Sequence, residues 1–305
     1  MSARRKRRAQ NKKKRFSSVK SLGLILLFFT LLFFLIFQSN FWDSDSKLTL
    51  VVNKKDGDVL IAIFNPVVDE VTSITIPKNT QLKVARQLGT WKAGSIWQLG
   101  ENEDLEGKLL QETITYHLKL PVVAWADSPA EGFVNGGLVA LVKAVILPYK
   151  TNLKMGDRMK LAFFSFGVKN FKREEINLAE TKLLKKTRLI DGEEGFVLIS
   201  GLPASILALF SDIEISQKDV SVLIRNATGK KSVPEQVGEV IEVLGAKVAA
   251  IKKEESEEFD CMVLGKDQKA VEKLVQVFSC EKGKGLPSGS FDLEIKIGEG
   301  FARRF

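Results

Sequence analysis

Hydrophobic and polar positions follow three different patterns along this chain, and each predicts a different element. From Ser21 to Phe37 (SLGLILLFFTLLFFLIF) there is no alternation: the run carries no charge, and only Ser21 and Thr30 are polar. At ~1.5 Å per residue it makes a helix of roughly 26 Å, near the lower limit for a bilayer core. Adding Ser18, Val19, a snorkelling Lys20 and Gln38 predicts a transmembrane helix over 18–38, with its backbone groups satisfied internally.

A period of two marks strands at the other end. Phe291, Leu293, Ile295 and Ile297 alternate with Asp292, Glu294 and Lys296, and Val220, Val222 and Ile224 repeat the pattern. Between them the period turns helical. Val237, Val240, Ile241 and Leu244 share one face, Glu235, Glu239 and Glu242 the other, with Pro234 in the first turn and Gly245 just past the end. A second helix, capped by Asp267, turns Val271, Leu274, Val275 and Phe278 inward. With strands over 247–251 and 259–264 the order is β-α-β-β-α-β, which predicts a ferredoxin-like sandwich over 217–305.

The stretch 47–216 is less regular and reads as an α/β (α+β) domain. LTLVVN and DVLIAIF predict a hairpin about Lys55-Asp56-Gly57, its second strand buried on both faces. A strand over 71–76 stops at Pro77. Segment 87–104, punctuated by Gly and Trp, reads as irregular, 105–117 as helix, 122–125 as strand and 128–137 as loop. A helix is expected over 137–145, a core strand over 159–168, a basic helix over 178–189, a strand over 196–199 and a short helix over 203–210.

Charge is unevenly placed along the chain. The net charge is +9, of which +10 comes from the first twenty residues, so the rest of the chain carries −1. The basic tail 1–17 and Lys20 are therefore a topogenic and anionic-lipid signal rather than a nucleic-acid footprint. The positive-inside rule places the N-terminus in the cytoplasm and everything after Gln38 outside, as a single-pass plasma-membrane protein. Phe41 and Trp42 suit the headgroup zone, in a polar linker over 39–46. A cleaved signal peptide would need a small-x-small site, and FQSNFWDSD offers none.

Candidate chemistry is sparse. His117 is the one histidine, and it reads as an ordinary residue at a helix end; there is no phosphate-binding glycine loop and no Cys-x-x-Cys pair. Cys261, on a strand, and Cys280, past the following helix, are open either to a disulfide or to two buried thiols. RNA-recognition domains share the β-α-β-β-α-β order but stack bases on strand aromatics. Val222, Ile224, Cys261 and Val263 stand here instead, so no nucleic-acid partner is expected.

The C-terminal block, VSVLIRNATG through FDLEIKIGEGF, resembles the LytR C-terminal domain, in which a strand ends in an Asn-Gly-Thr-Gly turn; here Asn226-Ala227-Thr228-Gly229 stands in its place. GDVLIAIFNPVVDEVTSITIPKNT is similar to the opening of the LytR–CpsA–Psr family (Ser-Asp-Thr, an apolar strand, Asn-Pro, then Ser-Ile-Pro-Arg-Asp-Thr). Asn65-Pro66 matches the turn, Asp58 falls at the acidic position associated with a divalent cation, Lys78 at the arginine and Asn79 at the aspartate. The resemblance implies a divergent LytR–CpsA–Psr-like domain over 47–216, with Asp58 as a metal ligand and Lys78 as a ligand-binding residue.

Active members of that family transfer a phosphorylated glycopolymer from a polyprenyl pyrophosphate carrier to peptidoglycan. That chemistry needs a cation and guanidinium groups. Lys78 keeps charge without the bidentate fork, and Asn79 loses a carboxylate. Arg158, Arg173 and Arg188 are the candidates for the family's later arginines. The resemblance therefore implies an extracytoplasmic envelope protein with a non-catalytic binding or scaffolding role in cell-wall glycopolymer assembly, without a cofactor. Its partners are the bilayer and cell-wall glycan or polyprenyl-linked glycopolymer. The alternative is a working phosphotransferase that uses Mg²⁺.

Overall fold

The computed structural model describes residues 23–34 and 42–305. Residues 23–34 form one exposed helix, α1, in the middle of the expected 18–38 span. Positions 18–22 and 35–38, the tail 1–17 and the linker residues 39–41 lie outside the described residues. Among the described residues no helix is long and apolar enough to cross a membrane.

Strands β1 (Leu48–Asn53) and β2 (Val59–Asn65) form the expected antiparallel hairpin, Leu48 opposite Phe64 and Asn53 opposite Val59. β3 (Glu70–Ile76) extends it antiparallel to β2. β4 (Gln81–Lys83) and β5 (Thr90–Lys92) make a small ladder before α2 (Ala93–Asn102) and α3 (Lys108–Leu118). β6 (Ala124–Asp127) pairs parallel with β1, and then come α4 (Glu131–Asn135), α5 (Leu138–Ile146) and α6 (Met155–Gly167). β7 (Arg173–Asn177) pairs parallel with β3, which completes a sheet of order β6-β1-β2-β3-β7.

Helices cover both faces of this sheet, which is why β1 and β2 are buried on both sides and mostly apolar. Ile61, Ile63 and Ile74 pack towards α2 and α3, with Ile96, Leu109 and Ile114. Leu50, Ala62 and Phe64 pack towards Phe133, Leu141 and Leu161 of α4, α5 and α6. β8 (Leu184–Arg188) and β9 (Glu194–Leu198) form a hairpin whose Leu184 joins the first of these clusters; α7 (Ala204–Leu207) and α8 (Ile213–Ser216) lead out of the domain.

Several elements correct the sequence reading. Segment 87–104 contains β5 and the regular helix α2, not irregular chain. Its Gly94 is a packing residue: a Cβ there would stand 2.8 Å from both the Gly57 carbonyl and the Lys78 Cβ. Segment 159–168 is helix α6, not a core strand. The Asp157 carboxylate accepts the Lys154 backbone N–H at 3.1 Å and starts the helix three residues upstream. Segment 178–189 is a single helical turn followed by β8, so its lysines flank a ladder rather than a helix. The loop 128–137 contains α4. Trp42 is buried, with its ring 5.5 Å from Phe164, its Nε1–H donating to the Ser46 carbonyl and its backbone N–H to Asp157. It is a core residue and not a headgroup aromatic.

The C-terminal unit comprises β10 (Ser221–Ala227), α9 (Ser232–Val243), β11 (Lys247–Lys253), β12 (Cys261–Gly265), α10 (Gln268–Phe278), β13 (Glu281–Lys282), β14 (Leu293–Gly298) and α11 (Glu299–Arg304). Burying Val237, Val240 and Ile241 of α9 contributes roughly 1.5–3 kcal/mol each. The strand order is β11-β10-β14-β12-β13. β10 and β11 are direct parallel neighbours, whereas a ferredoxin-like sheet inserts a strand between such a pair, so the ferredoxin-like expectation is corrected.

The cause lies in segment 254–260. It does not turn back as a hairpin but crosses the ends of two strands. The backbone N–H groups of Glu254 and Glu257 donate to the carbonyls of Asn226 and Ala227 at the end of β10, and the Gly298 N–H at the end of β14 donates to Asp260. Glu254 pairs with Arg225, and Glu257 with Lys296 at 2.7 Å. The chain thereby reaches the far side of β14 before β12 begins.

Candidate functional site

β1 and β3 end, and β2 begins, at one edge of the first sheet, and this edge carries Asp58 and Lys78. The β1–β2 turn closes with Lys54 N–H on the Asp58 carbonyl at 2.9 Å and Gly57 N–H on Lys54 at 3.0 Å, with Gly57 at φ +90°. The Asp58 carboxylate accepts the Lys78 backbone N–H at 2.8 Å. The Lys78 ammonium donates to the Asp56 carbonyl at 3.3 Å, and the Lys78 carbonyl accepts the Gly94 N–H at 3.0 Å. Three segments therefore interlock: the turn, the loop after β3 and the start of α2. Asn79 contributes its carbonyl to Phe196 of β9 at 3.0 Å.

The sequence reading missed two acids that the fold brings to this edge. Asp127, at the end of β6, accepts the Ser128 N–H at 2.7 Å and the Asn53 amide at 3.4 Å. Glu131 opens α4; burial raises its carboxyl above the usual range, opposed by the Lys55 backbone N–H and the Lys54 charge. Asp127-Ser128-Pro129 is a turn and cap signal, and only pairing β6 beside β1 brings it here. Burial pushes the Asp56 carboxyl up, but the Asp58 N–H and Lys54 outweigh it and hold it below the usual range. Among the described residues no three His, Cys, Asp or Glu side chains converge in a way that could hold a metal ion. The one Asp58 oxygen aimed at the Lys78 loop is occupied by a backbone donor, so these residues do not fit a dedicated cation cage.

The candidate arginines lie elsewhere. Arg158 donates to the carbonyls of Val145, Leu147 and Tyr149 at the end of α5, and its guanidinium lies 4.1 Å from the Tyr149 ring centroid. Arg173 binds the carbonyls of Val134, Ser165 and Val168, where α4 and α6 end. Arg188 closes the β8–β9 hairpin on the Gly192 carbonyl at 2.9 Å. Each guanidinium thus serves the C-terminal end of a helix or a turn. His117 accepts the Lys83 N–H at Nδ1, and burial, then the charges of Lys119 and Lys83, lower its pKa. It lines an apolar cleft of about 530 Å³ between α3 and α9, with Leu202 and Val243.

The sulfurs of Cys261 and Cys280 are at bonding distance, with Cα atoms 4.9 Å apart, and tie the start of β12 to the chain after α10. Beside them Arg304 links the C-terminal helix to α3. It donates to Asp260 at 2.8 Å and lies 3.7 Å from Glu112 on α3.

No family model matches the chain, and no curated protein matches its sequence. Among solved structures, TagV of B. subtilis matches at 9% identity and a TM-score of 0.37, over 52% of this chain and 92% of that one. TagT of B. subtilis matches at 13% identity and a TM-score of 0.38, over 53% and 88%. YwtF (TagT) with bound octaprenyl pyrophosphate lipid matches at 15% identity and a TM-score of 0.36, over 52% and 86%. These solved structures are LytR-CPS2A-psr family proteins, and they match about half of this chain.

Proposed function

We propose that the chain is a membrane-tethered, extracytoplasmic envelope protein that binds anionic cell-wall glycopolymer as a scaffold and does not catalyse its transfer. The tether reading rests on the apolar run 21–37 and its basic flank; the wall reading rests on the Asn65-Pro66 and Asn226–Gly229 motifs. One observation supports binding over transfer. Asp58 is engaged by the Lys78 backbone N–H, and Arg158 and Arg173 by backbone carbonyls, so the cations at this edge are lysines: the exposed Lys55 and Lys78, and Lys54, which pairs with Asp56, beside the acids Asp58, Asp127 and Glu131. Lysines attract a polyanion as point charges but do not clamp a pyrophosphate bidentately.

The test is retention of the detergent-solubilised full chain on purified cell walls, before and after acid removal of their anionic polymer. Retention on intact walls that drops on stripped walls, and drops with Lys78→Glu, is the expected result. Retention equal to that of an unrelated exported protein overturns the reading. So does Mg²⁺-dependent turnover of a polyprenyl-pyrophosphate-linked polymer that is abolished by Asp58→Ala.

A further inference from the structure

Helices α5 and α6 leave an apolar face uncovered. Phe163 and Phe166 are 65% and 64% exposed and Val142 is 48% exposed, while Leu138 and Ile146 also point to solvent. Between them runs a groove of about 340 Å³. A soluble surface rarely leaves so many large apolar side chains contiguous. Around this face the charge is one-sided. From Gly136 to Lys172 the chain carries six lysines and one arginine against a single acid, Asp157, which is buried. Lys143, Lys154 and Lys169 are exposed.

The tether leads to the same helix, on the side turned away from the exposed phenylalanines. Trp42 donates its backbone N–H to Asp157 of α6, accepts from the Lys160 ammonium at 2.9 Å, and packs its ring on Phe164. If 18–38 spans the bilayer, only residues 39–41 separate it from Trp42, about 14 Å of extended chain. Helix α6 is then held at the membrane surface.

We infer that the α5–α6 face beds into the interfacial region of an anionic bilayer, with its phenylalanines among the acyl chains and its lysines at the phosphates. A helix pair that is apolar on one side, cationic at the rim and nearly free of acids has the character of an interfacial membrane element. Self-association through the same face would bring two sets of these lysines together, which charge repulsion disfavours. The inference rests on the membrane tether proposed above.

Both native cysteines are paired, so a single introduced cysteine can be labelled selectively. Full-length Val142→Cys carrying an environment-sensitive fluorophore is reconstituted into phosphatidylcholine–phosphatidylglycerol vesicles containing doxyl-labelled lipid. The control is Ile190→Cys; Ile190 is 91% exposed, on the hairpin packed against the opposite face of the sheet. Expected are co-flotation of the chain with the vesicles and several-fold stronger quenching at position 142 than at 190. Flotation with equal quenching overturns the inference and leaves the tether standing. Absence of flotation overturns both. Cross-linking between copies at position 142 without quenching assigns the face to a second copy and overturns the bilayer.

Discussion

The Asp58 carboxylate accepts the backbone N–H of Lys78 at 2.8 Å, so the acid at the head of β2 fixes the loop that follows β3. An acceptor for a backbone donor is a structural task, and removing it leaves the donor without its charged partner. Hydrogen bonds to charged groups contribute about 1.5–3 kcal/mol, and half-exposure reduces this. Asp58→Ala is expected to destabilise the fold by about 1–2 kcal/mol and Asp58→Asn by less, read as a lower urea midpoint. Wild-type stability in the Ala variant would contradict this role.

Glu112 of α3 links the first sheet's helical layer to the C-terminal helix. Its carboxylate accepts from Arg86 at 2.7 and 3.0 Å and faces Arg304 from the C-terminal helix, while Tyr116 and Phe305 meet edge to face one turn along. Breaking a buried pair on one side leaves uncompensated charge. Glu112→Ala should cost about 3 kcal/mol and render the C-terminal residues sensitive to carboxypeptidase; Glu112→Gln should do so to a smaller degree. Unchanged protease resistance in Glu112→Ala would refute the coupling.

Lys273 of α10 is buried beside Asp212 at 3.3 Å and donates to the Lys47 carbonyl. Burial lowers its pKa below the usual lysine value of 10.5, against the attraction of Asp212. In the alkaline range the unfolded chain then holds more protons at this site than the folded one. Stability therefore rises with pH from the depressed folded pKa up to 10.5. The wild type minus Lys273→Met difference in unfolding free energy should grow across that window, and a flat difference would show that burial does not govern this lysine.

The Cys261–Cys280 pair closes a loop with a sequence separation of 19. Cross-linking a loop of that length contributes about 3 kcal/mol in the chain-entropy account. The double Cys261→Ser, Cys280→Ser variant should lose that amount in denaturant, and dithiothreitol should have no further effect on it. Equal stability with and without reductant in the wild type would mean the thiols do not pair.

Much of the fold was legible because burial imposes its period directly. β1 and β2 read as a hairpin with a doubly buried second strand, α9 and α10 as one-faced helices and β14 by strict alternation, and each forms where expected. Helix α6 misread because its phenylalanines occupy both the packed and the unpacked sides, which erases a helical period; only the Asp157 cap marked its start. In α2 Gly94 looked like a breaker but answers a close approach of Lys78, a contact sixteen residues away that no local pattern encodes.

The candidate site divides in the same way. Local pattern alone was enough for the first hairpin, α9, α10 and β14, for the concentration of charge in the first twenty residues, and for the motif-like order of Asp58 and Lys78, because these depend on periodicity, composition and order along the chain. Packing in three dimensions set the rest: Asp58 meets the Lys78 backbone, Arg158 and Arg173 cap helices instead of converging, Trp42 docks on α6, and β11 lies beside β10. Those outcomes depend on which distant carbonyls and strand ends the packed layers bring within hydrogen-bonding reach.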